Sequence, residues 1–108
     1  MILKHTQQLV PKGGPIERLV HILASAIELV SLPENDFLWS SWEDADEAIE
    51  EISALIGIIE GGVIPPMEKI AVLFAPTGPL QEVSLNSGWG DQFLMIASQF
   101  DDVDKLLL

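Results

Sequence analysis

The chain contains no cysteine, which excludes disulfides, thiol nucleophiles and cysteine metal sites and fits a reducing compartment. Tyrosine is absent too, so a core must rest on leucine, isoleucine and valine with few aromatics. Positive charge is scarce: five lysines and arginines stand against 17 aspartates and glutamates, for a formal charge of −12. Phosphate backbones and anionic lipid surfaces need a cationic protein face, so neither nucleic acid nor membrane is expected as a partner. No apolar run approaches the roughly 18 residues of a membrane span. Lys4, His5 and Gln7-Gln8 interrupt the start too early for a secretory signal. A cytoplasmic setting is the expectation.

The catalytic and cofactor signatures are also missing. There is no H-E-x-x-H, G-x-S-x-G, Walker A or dinucleotide G-x-G-x-x-G pattern. Asp44, Asp46 and Glu50 do not follow the looped oxygen spacing of an EF-hand. No metal or cofactor is expected.

What the chain has in quantity is apolar residues, 48% of the total, which argues against disorder. A length of 108 residues without a linker or internal repeat reads as one domain over 1–108. The stretch Ser40–Glu60, SSWEDADEAIEEISALIGIIE, reads as the helix around which the rest is arranged. At about 100° per residue, Trp42, Ala45, Ala48, Ile49, Ile52, Leu55, Ile56 and Ile59 share an arc of roughly 140°, the width of a core-facing stripe. Glu43, Asp44, Asp46, Glu47, Glu50 and Glu51 project from the other side. Ser40 and Glu43 have capping-box spacing, and Gly61-Gly62 offers a left-handed C-terminal cap.

A preceding helix is expected from Pro15, suited to a first helical position, to about Val30. Its narrow polar stripe holds Glu17, Arg18, His21, Ser25 and Glu28, and its broad apolar side implies deep burial. Pro33 marks a loop between the two helices, which are expected to form an antiparallel hairpin. The first ten residues, MILKHTQQLV, fit either a short strand or an ordered tail.

After Pro65-Pro66, residues Lys69–Ala75 read as a strand with Ile70, Val72 and Phe74 on one face. Ala75-Pro76-Thr77-Gly78 has the chemistry of a tight turn, and Leu80–Leu85 reads as the returning strand. A third helix follows from Gly90 or Asp91 to Phe100 on the stripe Phe93, Ile96, Ala97 and Phe100. Val103 and Leu107 continue that stripe, but Asp101, Asp102 and Asp104 would oppose the dipole at a helix end, so a break is expected near Asp101, with room for a short terminal helix capped there. The expected fold class is α+β, in the order α-α-β-β-α: a helical hairpin, then a two-stranded antiparallel β-hairpin, then a C-terminal helix, with a single sheet layer packed by helices.

Three features are candidates for function. First, Glu34, Asp36, Glu43, Asp44, Asp46, Glu47, Glu50 and Glu51 crowd into a segment without a lysine or arginine. The bland reading is a solvated helix face. The sharper one is a docking surface for a basic protein, as inhibitors and immunity proteins present, with Glu43, Asp46, Glu47 and Glu50 as its ridge. Second, Trp39 and Trp89 are candidate partner anchors, since tryptophan is enriched at interface hot spots; Trp89 alternatively plugs the core, and Trp42 reads as core. Third, Ala54, Gly57 and Ile58 point outward opposite the buried stripe, which suggests a homodimer face. His5 and His21 are the only histidines, and His21 shares a helix face with Glu17 and Glu28. The first expectation is a small acidic, non-enzymatic interaction or regulatory module. The second is a metal-dependent or acid/base hydrolase using His21 with nearby carboxylates.

Overall fold

A computed structural model describes residues 14–38, 40–63, 67–76 and 78–107. The expectations for MILKHTQQLV and His5, for Trp39, for Pro65-Pro66 and for Thr77 lie outside the described residues. Within them the chain forms five helices: α1 (Pro15–Val30), α2 (Ala45–Glu60), α3 (Met67–Phe74), α4 (Pro79–Ser87) and α5 (Gly90–Leu107). No strand occurs among the described residues, so the α+β expectation and its β-hairpin are overturned.

The reason lies in the spacing of short apolar runs. In MEKIAVLF, alternation pairs Ile70 with Val72 and Phe74, but Met67, Ile70, Ala71 and Phe74 also stand at i, i+3, i+4 and i+7. The helical set is the one that packs inward, while Val72 stays 60% exposed. The second expected strand fails the same way. Leu80, Val83 and Ser84 are buried at i, i+3 and i+4, and Leu85 points to solvent. Pro79 occupies the first turn of α4 just as Pro15 does in α1, a helix-start signal outweighed in the sequence by the turn chemistry before it.

Gly78 N–H donates to the Ala75 carbonyl at 2.9 Å, between the end of α3 and the start of α4 and not between two strands. Gly78 has φ −82°, so no left-handed conformation is needed there. Glycine is required for space, because a Cβ would strike the Val72 carbonyl oxygen and crowd those of Leu73 and Ala75. Among the described residues the positive-φ glycines are Gly62 after α2 and Gly88 after α4.

The structural centre is α1, not α2. Leu19, Ile22, Leu23, Ala26, Leu29 and Val30 are all fully buried, and α1 packs against α2, α5 and α4. The expected polar stripe of α1 is partly submerged: His21 and Ser25 are buried, and Ser25 Oγ donates to the His21 carbonyl at 3.0 Å. In α2 the inward face is Ala48, Ile52, Leu55 and Ile59, as the periodicity requires.

The third expected helix does not break at Asp101 but runs on as α5 to Leu107. Phe93, Ile96, Phe100 and Val103 form one buried stripe, and Phe100 stacks on Phe74 of α3 with ring centroids 4.8 Å apart. Burying Val103 stabilises by about 1.5–3 kcal/mol. Continuation also moves Asp101 and Asp102 out of the last turn, where the dipole acts, and brings Lys105 into it.

Candidate functional site

The outer side of α2 gathers most of the residues singled out by sequence, and its local geometry starts at the N-terminus. The cap is Asp44, not Ser40: its side chain accepts from Glu47 N–H at 2.9 Å, while Glu47 Oε2 accepts from Glu43 N–H at 3.2 Å. This differs from a capping box in its return bond, which reaches the residue before the cap and not the cap's own N–H, and it is displaced along the chain from Ser40 and Glu43. Ser40 Oγ instead accepts from Trp42 N–H at 3.2 Å, holding the approach to the helix. Trp42 is buried, and its indole N–H donates to Glu51 Oε2 at 3.0 Å. Glu51, also exposed, is thereby engaged by Trp42 beside the ridge of Glu43, Asp46, Glu47 and Glu50.

All four ridge residues are exposed. Glu47 has a second, structural duty as the acceptor for Glu43 N–H. The lysines and arginine among the described residues are Arg18, Lys69 and Lys105, carried on α1, α3 and α5. None of them shares α2 with the ridge, so the helix offers its acids no internal neutralisation at i,i+4.

Along the same helix the surface changes character. Ala54, Gly57 and Ile58 are exposed, Ile58 at 41%. Ala54 and Ile58, though not Gly57, border with α3 a groove of about 500 Å³ lined by Ser41, Glu51, Ala54, Leu55, Ile58, Lys69, Val72, Leu73 and Pro79. Leu55 and Leu73 are buried floor, Ile58 and Val72 are exposed walls, and Glu51 and Lys69 supply charge at the rim. The contributions of Val72 and Lys69 escape sequence reading because a strand at Lys69–Ala75 turns Val72 inward. The helical period is the signal that finds them, since Lys69, Val72 and Leu73 stand at i, i+3 and i+4.

The other candidates lie elsewhere. Trp89 takes the core position of its two expected roles: it is 3% exposed, and its indole N–H donates to Asn35 Oδ1 at 2.8 Å. Asn35 Nδ2 donates to the Leu29 carbonyl at 2.8 Å, and Asp36 N–H donates to Ser87 Oγ at 2.9 Å. The loop after α1 is therefore pinned to the α4–α5 junction through Trp89. A second, more open hollow of about 660 Å³ lies beside this loop, lined by Asn35, Asp36, Phe37, Leu38, Ser40, Trp42, Glu43 and Asp44. Leu38 is 74% exposed there. Trp39 lies outside the described residues.

His21 is buried on α1, engaged with other groups of the chain as Glu28 is, and lines neither of these two hollows. Among the described residues no three of His, Asp or Glu gather in an arrangement that could hold a metal ion. No helix among them is long and apolar enough to cross a membrane. No family model, curated protein or solved structure matches the chain.

Proposed function

We propose that this chain is a small, non-enzymatic protein-interaction or regulatory module that engages a basic protein partner through the outer face of α2. The observation that supports this is the ridge of Glu43, Asp46, Glu47 and Glu50: four exposed carboxylates at and just before the start of α2, with no lysine or arginine on that helix. Like-charge pairs such as Asp46/Glu50 at i,i+4 cost the helix a few tenths of a kcal/mol each. A face kept acidic for hydration alone could have carried lysines without that cost. A formal charge of −12 further favours fast, steered encounter with a cationic surface. A cytoplasmic location belongs to the same proposal and rests on the cysteine-free composition.

The test is a pull-down at low and high salt, read by mass spectrometry, comparing wild type with the triple variant Glu43→Lys, Asp46→Lys, Glu50→Lys. Glu47 is left in place because its carboxylate holds Glu43 N–H at the helix start. Asp46 lies in the first turn, where a lysine loses about 0.3–1 kcal/mol of dipole interaction, so helicity is checked by circular dichroism. The expected result is a set of basic proteins retained at low salt, released at high salt and absent with the variant. The same retained proteins for both chains would overturn the reading and leave a solvated helix face.

A further inference from the structure

The acidic ridge and the α2–α3 groove are parts of one surface. Glu47 stands one helical turn before Glu51 and two before Ala54, and Ile58 lies one turn beyond Ala54, so one stripe of α2 runs from acid to apolar along its length. The apolar half is walled on its far side by Val72 and Lys69 of α3 and floored by Leu55 and Leu73. α3 has eight residues, a wall of about 12 Å at the usual helical rise of ~1.5 Å. That length matches apolar anchors at i, i+3 or i+4, and i+7 of a docked helix.

From this we infer that the groove seats one amphipathic helical segment of the basic partner. Its apolar stripe packs on Ala54, Ile58 and Val72, and its lysines or arginines cluster at one end only, over Glu47, Glu43 and Glu50. The inference rests on the interaction-module reading and adds the partner's secondary structure and its charge asymmetry. Charge complementarity decides against a second copy of this chain. A second copy carries the same formal charge of −12, so its approach to this face is repelled, whereas a basic segment is attracted. The homodimer expected from Ala54, Gly57 and Ile58 is therefore the competing occupant.

The probe is a displayed library of 16-residue helical peptides with randomised apolar and charged positions, selected on the full chain. Binding of enriched peptides is measured by fluorescence anisotropy. Ile58→Glu and Val72→Glu alter the groove at exposed positions, and the triple lysine variant alters the ridge. Enriched peptides are expected to carry an apolar i, i+3/i+4, i+7 stripe with basic residues at one end. They are expected to lose at least tenfold in affinity with each groove variant and with the ridge variant. Enriched peptides that are basic without an apolar stripe, and indifferent to Ile58→Glu and Val72→Glu, would overturn the groove assignment while leaving the acidic docking face standing. No enrichment of basic peptides at all, at low salt, would overturn both. A dimer in sedimentation that Ile58→Glu disperses would give the groove to a second copy and overturn the partner assignment.

Discussion

A pair of substitutions two residues apart distinguishes helix from strand in the segment where sequence and structure part. Ile70 is fully buried and Val72 is 60% exposed, although alternation would place them on the same face. Ile70→Ala removes a packed side chain from the junction of α3 with α4 and α5, where large-to-small changes cost about 2–5 kcal/mol. Val72→Ala removes two methyl-sized groups, worth about 1.6 kcal/mol if fully buried. With most of the residue in solvent, only about 0.6 kcal/mol of that remains. Alanine returns roughly 0.5 kcal/mol through its higher helix propensity, so Val72→Ala should be neutral within about 0.5 kcal/mol. Urea unfolding followed by far-ultraviolet circular dichroism measures both, with unchanged denaturant slopes as the condition for comparing midpoints. A strand would bury Val72 beside Ile70 and lose β-propensity on substitution. A Val72→Ala loss above about 1.5 kcal/mol, on the scale of the burial term, would refute the helical assignment of α3.

Three further outcomes are expected. Ile52→Ala, at the fully buried middle of α2, should cost about 2–5 kcal/mol in the same assay, and a loss under about 1 kcal/mol would mean that α2 presents another face to α1. Asn35→Ala strands the buried Trp89 indole N–H and removes one of two bonds to the Leu29 carbonyl, which still accepts from Leu32 N–H, so it should cost about 1–3 kcal/mol and shift the Trp89 fluorescence; an unchanged midpoint would show that the loop is not pinned there. Asp44→Ala should lower stability by about 1 kcal/mol, more than Ser40→Ala, and the reverse order would return the cap to Ser40.

Much of the helical framework and of the candidate surface can be read in the sequence, and for the same reason. Where an amphipathic run is long, the 3.6-residue period repeats often enough to exclude alternation, as in α1 and in the Ala48, Ile52, Leu55 and Ile59 stripe of α2. Charge segregation is equally local, so the Glu43, Asp46, Glu47 and Glu50 ridge and the outward Ala54, Gly57 and Ile58 are visible before any packing is known. Capping is less well determined, because Ser40 and Asp44 both carry suitable oxygens with a glutamate three residues on. Burial of Trp42, with Glu51 holding its indole, goes with the later start.

Tertiary structure decided what short segments could not. Met67–Phe74 and Pro79–Ser87 span barely two turns each, and a run apolar on both faces satisfies either period. The stacking of Phe74 on Phe100 and the seating of Leu80 and Val83 in the common core select the helix. The same long-range packing carries α5 past its aspartates to Leu107, because Val103 gains more from the core than an exposed carboxylate loses to the dipole. It also sends Trp89 inward to Asn35, a partner 54 residues away. The groove depends on α3 lying beside α2 with Val72 outward, a juxtaposition of two elements that no local pattern encodes.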